Sequence, residues 1–437
     1  MELTEEAVEH GVARLAQLVE ARQAKRARCT RAARDGASDD NDPVDSLSPV
    51  FDRFTLSGGE AVMQSTNFSE EEINMLWRVV EEHVVLRWNV GRGKKCKYGG
   101  KDVMFMMLTA LKHCGKWDVV ASVFKINPPT FQKMIMKFTE MISPFVYARF
   151  VEDTNTKWSM REPVVAGKTF SNFACARYAT DVTFQQANIP YGLCEGHSIY
   201  FSGKHKLHGY KVEVSVLPTG KAINCTSHHP GHVSDIEIFR RNQAFHSQNM
   251  KKSDADKRLQ DEGPLVTEYP DEWALLADKG YQGLSSHFRA ITPNKKQPGE
   301  TLSIEQLEEN DRIAHDRVLV ENYFGRLTSL WAVASDKYRW SESSYDTLFR
   351  TCVALTNFHV HPNPLRSADD DSYSSYLGRL LSIGDDVIAK RKTSQKRYRN
   401  QREQRLRSMF RVRNESSETL HRSSNCSAES DETVYGL

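Results

Sequence analysis

The chain has 437 residues, is 39% hydrophobic and carries a formal charge of +2, so it holds apolar material for a sizeable core and for two or three domains. A charge this close to neutral restricts any nucleic-acid footprint to local patches, and no apolar run approaches the roughly 20 residues that span a bilayer. The eight cysteines include no CxxC pair, which argues against a zinc ribbon or disulfide framework and for a reducing intracellular setting. The acidic start, MELTEEAVEH, is unlike a signal peptide.

Residues 1–62 read as a charged, largely disordered region. A helical mix with a basic patch at Lys25-Arg26-Ala27-Arg28 precedes the acidic, turn-rich run DGASDDNDPVDSLS. A helical domain is expected over 63–150. Ser69 with Glu72 makes a capping-box pattern, and Ile73, Leu76, Trp77, Val80 and Val84 follow at helical spacing. The loop GRGKKCKYGGK, Gly91 to Lys101, lacks the GxxxxGK[ST] order of a phosphate cradle and reads as flexible and basic. Three more helices follow, striped by Met104, Met107, Leu108 and Leu111, by Val119, Val120, Val123 and Phe124, and by Phe131, Met134, Ile135, Phe138 and Ile142. Before the last of them Asn127 suits an N-cap and Pro128 the first helical position. Its opposite face carries Gln132, Lys133 and Lys137. A short helix, a turn and a longer helix with such a face is the helix-turn-helix plan, whose second helix enters the major groove. Three-helix packing with no DNA role fits the same pattern.

An α/β domain is expected over 165–362. ARYATDVTFQ places Asp181 within or just after a strand. In GYKVEVSVLPTGKAINCTS, Tyr210, Val212, Val214 and Val216 alternate with Lys211, Glu213 and Ser215, and Leu217 to Gly220 is a hairpin signal. In HHPGHVSDIEIFRR, Gly231 and Ser234 bracket a turn, Asp235 can cap, and a helix begins at Ile236. His228, His229 and His232 have no Cys partner at finger spacing, so a turn suits them better than a zinc site. Residues 247–270 are charged and poor in apolar side chains, as in an insertion loop. The stretch WALLADKGYQG then reads as a buried strand with Asp278 at its tip and a turn at Lys279-Gly280. A lone acid there commonly just starts a turn, whereas one joined by other carboxylates suits a hard divalent cation. A long helix over 302–330 puts Arg317 and Glu321 one turn apart on one face, and a second, over 344–359, is apolar enough to pack on the sheet. Residues 363–437 read as a disordered tail. Its basic tract, AKRKTSQKRYRNQREQRLRSMFRVR, suits a nuclear localisation signal or a phosphate-binding arm, with a solvated charged helix as the alternative, and makes the nucleus the expected location.

Asp181, Asp278 and Glu321 lie on three different elements that a mixed sheet flanked by helices can bring to one edge. Converging carboxylates raise one another's pKa unless cations neutralise them. Two Mg²⁺ (or Mn²⁺) ions, gripping the attacking and leaving oxygens of an in-line phosphoryl transfer, are the usual answer. Arg317 could orient Glu321 or touch a phosphate. Ser234-Asp235 lacks the GxSxG elbow of a hydrolase.

The motifs YATDVT, PGHVSDIEIFRR, LLADKGYQG and RVLVENYFGRL, in this order and spacing, resemble the DDE-superfamily endonuclease domain of PIF/Harbinger-type transposases over about residues 178–358. The resemblance implies an RNase H-like fold with Asp181, Asp278 and Glu321 as the metal-binding catalytic triad. Asp235 falls on the family's further acid, a supporting residue that steers the site or caps a helix. It further implies Mg²⁺-dependent cleavage at terminal inverted repeats and joining of the freed 3′ ends to target double-stranded DNA. A homo-oligomer, a separate DNA-binding accessory protein and no membrane complete the expected partners. Two departures are Asp-Val-Thr where the family usually has Asp-Gly-Thr, and the additions at 247–270 and in the basic tail. Two other readings compete. One is a host protein derived from a transposase, which keeps DNA binding for regulation or scaffolding; the other is an RNA nuclease of the same fold. Three intact acids favour the DNA-cutting enzyme, because a binder has no need to gather repelling carboxylates.

Overall fold

A computed structural model describes residues 46–188, 197–296, 299 and 301–425. The helical mix before residue 35, the basic patch beside Lys25 and most of the acidic linker lie outside the described residues.

Order begins before the capping-box helix. The helices α1 (Pro49–Leu56) and α2 (Gly59–Thr66) precede it, the first wholly and the second half within the region expected to be disordered. What anchors α1 is a buried acid: Asp102 accepts from the backbone N–H groups of Val50 and Phe51 at 3.1 and 2.9 Å, while Phe51 packs edge-on against Phe105. Helix α3 (Glu70–Arg87) opens on the expected capping box, Glu72 N–H donating to Ser69 Oγ at 3.2 Å and Ser69 N–H to Glu72 Oε2 at 2.8 Å. Next come α4 (Gly100–His113), α5 (Trp117–Val123) and α6 (Pro128–Tyr147). In α5 only Val120 and Ala121 are buried and Val119 and Val123 face solvent, because so short a helix turns one narrow face inward. Asn127 flanks α6 without a side-chain cap, and Pro128 alone marks the first turn. The predicted stripe of α6 is buried, while Gln132, Lys133 and Lys137 are exposed.

A π-turn at Ala148–Glu152 and two short helices, α7 (Asp153–Lys157) and α8 (Arg161–Val165), lead into a mixed sheet. Among the described residues it has seven strands: β1 (Ala176–Gln186), β2 (Phe201–Ser202), β3 (Leu207–Val216), β4 (Ala222–Cys225), β5 (His229–Pro230), β6 (Ala274–Leu276) and β7 (Ala290–Ile291). The path runs β2-β3-β1-β6-β7, with β4 and β5 also paired to β3. β3 lies antiparallel to β1, whereas β6 and β7 run parallel to it. Helices α9 (Asp235–Arg241) and α10 (Gln243–Met250) pack on one face. On the other side stand α11 (Ile304–Leu330), α12 (Ala332–Ser335) and α13 (Tyr345–Val360). An α-helical N-terminal region followed by a mixed sheet flanked by helices is consistent with a general RNase H-like arrangement.

The stretch 247–270 is less free than its composition suggests. Arg289 grips Asp261 with both Nη atoms, and Lys252 approaches the same carboxylate at 2.7 Å, all three nearly buried. These hydrogen bonds outweigh burial and hold the Asp261 carboxyl at about 2. The last helix, α14 (Ala368–Asn425), replaces the disordered tail expected from composition. The described residues form two compact units, one of the chain up to Gly203 with His208–Gly378, the other of Lys204–Leu207 with the chain from Arg379 onward. In the smaller unit Lys206 pairs with Asp385 and the basic tract from Ala389 lies exposed along the helix through Leu406.

Candidate active site

Register decides which acids can meet. β1 and β6 run parallel with Ala179 beside Leu276, so two residues further along each strand Asp181 and Asp278 come up as neighbours on the same face. β6 is wholly buried, and the chain turns directly after it: Tyr281 N–H donates to the Asp278 carbonyl at 3.0 Å. Helix α11 crosses this face. From it the Arg317 guanidinium, 6% exposed, donates to Asp278 Oδ1 at 3.1 Å and to Asp181 Oδ2 at 3.2 Å. Glu321 lies one turn further along α11, on the same side.

The electrostatics follow from this crowding. Burial pushes Asp181 up to about 7, with Asp278 and Asp235 adding to the rise and Arg317 and the Val182 N–H opposing it. Glu321 is also raised, by burial first, then by Asp370 and Asp278, against Arg317. Asp370 is the acid that sequence reasoning missed. It stands in the first turn of α14, close enough to Glu321 to help raise its pKa, and keeps one buried oxygen without a protein partner. The triplet Asp369-Asp370-Asp371 is the signal that could have found it, although it falls beyond the domain boundary expected at 362.

Asp235 supports the site from the other side of the turn. Ser234 rather than Asp235 is the N-cap of α9, accepting from Glu237 N–H at 3.3 Å. Asp235 is instead clamped by Lys211 Nζ at 2.9 Å, and a Cβ added at Gly280 would stand 3.2 Å from its Oδ2. A side chain at 280 would press on the Asp235 carboxylate and need it to shift by a few tenths of an ångström. The polar members of the β3 alternation are not a solvent face. Glu213, 0% exposed, accepts from Asn242 Nδ2 at 2.9 Å and sits 3.0 Å from His246 Nε2, with the Tyr281 hydroxyl at 3.5 Å. His228 is locked by Asp346 and Glu342 at 2.9 and 3.2 Å.

An all-oxygen donor set on one face, with a guanidinium standing between two of its carboxylates as a cation would, fits a hard divalent ion. Among the described residues no three acids are gathered closely enough to make a metal-holding group, and Arg317 stands between Asp181 and Asp278.

A family model described as DDE superfamily endonuclease matches residues 181–357. The probable transposase for insertion sequence element IS702 of Microchaete diplosiphon is 28% identical over 162 residues, which cover 37% of this chain and 50% of that protein. The chain spans about half the length of this curated relative. No solved structure matches it.

Proposed function

We propose, from the premise that part of this chain is a DDE-superfamily, transposase-related domain, that the protein is a divalent-metal-dependent DNA endonuclease and transposase of the PIF/Harbinger type. The observation that carries this reading is the pair Asp181 and Asp278, side by side on one sheet face, with Arg317 between them and Glu321 one turn along α11.

Asp181, Asp278 and Glu321 would hold two Mg²⁺ or Mn²⁺ ions, which when bound supply a lowered pKa for an attacking water or 3′-hydroxyl and stabilise the departing oxygen. Asp278 is the more open of the two aspartates and faces the incoming phosphate, while the buried strand behind it keeps bulk water from the inner side. Arg317 balances charge between the aspartates, and its remaining Nε–H is buried without a protein partner. Asp235, held by Lys211, fixes the turn that carries Asp278. Helices α5 and α6 act as a helix-turn-helix, with Gln132, Lys133 and Lys137 toward the major groove of double-stranded DNA. The exposed basic tract directs the chain to the nucleus, and the assembly is a homo-oligomer working with an accessory DNA-binding protein.

Asp278→Ala and Glu321→Ala should each lower Mg²⁺-dependent nicking of duplex DNA by at least ~10³-fold while leaving duplex affinity within a few-fold. Undiminished nicking by either variant removes the triad. The runner-up, a transposase-derived protein that binds DNA for regulation or scaffolding, draws support from the Arg317 bridge, which satisfies two of the acids without metal. Duplex binding with no nicking by the unaltered protein in Mg²⁺ or Mn²⁺ would favour it.

A further inference from the structure

We propose that residues 89–98 form a preorganised basic loop that grips the DNA backbone beside α6, so that helix and loop hold one duplex together. The inference rests on the reading that α6 faces DNA, and it adds a contact that reading does not include.

The sequence of this segment, NVGRGKKCKY, carries four cations and no acid. It is closed at its neck. Asn89, in the left-handed region at φ 60°, donates from Nδ2 to the Cys96 carbonyl at 3.0 Å and accepts from Cys96 N–H at 2.7 Å. Lys95 turns inward and donates to the carbonyls of Asn89 and Gly91. Arg92, Lys94 and Lys97 are left exposed on the rim. A glycine is needed at 91, where φ is 102°.

The closed loop is docked on α6. Cys96 Sγ meets Met134 Sδ at 3.5 Å, and the Trp88 ring, at the loop's entrance, stands edge-on to Phe138 with centroids 5.1 Å apart. Around an α-helix Lys137 lies about 60° from Met134. The exposed lysines of α6 therefore border the strip on which the loop is seated. Gathering like charges on a loop held in one shape costs repulsion that a polyanion removes. A loop already closed also loses little freedom when it binds. The cations read no base edges. They would fix position on the backbone while α6 reads the groove.

The test uses the full chain, a short fluorescein-labelled duplex of arbitrary sequence and anisotropy over a range of KCl. Each phosphate contact adds about 0.9 to the slope of log affinity against log salt. The triple variant Arg92→Gln, Lys94→Gln, Lys97→Gln should bind about 10- to 100-fold more weakly near physiological salt, with a slope shallower by about 2 to 3. Lys133→Gln with Lys137→Gln should make it shallower by about 2. Wild-type affinity and slope in the loop triple overturn the loop contact, and weakening by the helix pair alone then leaves the α6 reading standing. If neither variant changes binding, both fall. Asn89→Ala keeps every charge but opens the neck; a several-fold loss with an unchanged slope supports preorganisation, and wild-type binding rejects it. Unchanged thermal melts establish that these surface variants fold.

Discussion

Arg317 serves two carboxylates at once, and its removal tests whether a bound cation can take over that duty. Arg317→Gln leaves the half-buried Asp181 and the more open Asp278 side by side without their shared cation, a loss of about 1–3 kcal/mol, below the cost of breaking a fully buried pair because solvent screens Asp278. In EDTA the variant should unfold at correspondingly lower denaturant, and millimolar Mg²⁺ should restore more of its stability than it adds to the wild type. Equal Mg²⁺ responses would mean that the aspartates do not compete for a cation. His228 offers a pH signature away from the candidate site. Burial opposes its charge, but the hydrogen bonds and charges of Asp346 and Glu342 prevail and raise its pKa. A raised histidine stabilises the fold fully below its unfolded pKa, near 6.5, and the contribution fades as pH rises through the higher folded value. Stability should therefore decline above about pH 6.5, and His228→Gln should flatten that decline in denaturation series across pH.

At the scale of elements, what the sequence spelled locally was legible. The Ser69–Glu72 box, the α6 stripe, the strand under Asp278 and the shared face of Arg317 and Glu321 all depend on spacing within one segment. What escaped was set by partners far along the chain. The alternation of β3 is legible in the sequence but the second layer over its polar face is not, and there Lys211 and Glu213 meet Asp235 and His246 from the helices that follow. The start of α14 escaped for the same reason. Its acids read as tail until Arg326 supplies Asp369 with a bidentate partner at 3.0 and 2.8 Å. Gly325 makes this docking possible, because a Cβ there would lie 1.8 Å from the Asp369 carbonyl. Gly325→Ala should cost about 3 kcal/mol through overpacking, and limited proteolysis should cut around residues 363–378 sooner than in the wild type.

Over the larger unit as a whole, the boundary expected at 150 does not separate two cores. Phe68 packs between Trp331 and Phe358, Asn67 donates to the Leu330 carbonyl at 2.7 Å, and Ser143 reaches the Thr347 carbonyl at 3.1 Å. A fragment beginning at residue 165 would expose α13 along the side that α6 covers. It should fail to unfold cooperatively, whereas this unit of the full chain should give one transition by circular dichroism. At its far end α6 places the Tyr147 hydroxyl 3.0 Å from Cys225 N–H, which donates to it from the sheet. Lys133 and Tyr147 are thus stations on one rod, separated by about 21 Å of helical rise. The helix is therefore a strut: its lysine-bearing face and the sheet it is pinned to cannot shift against each other unless the helix itself bends or breaks.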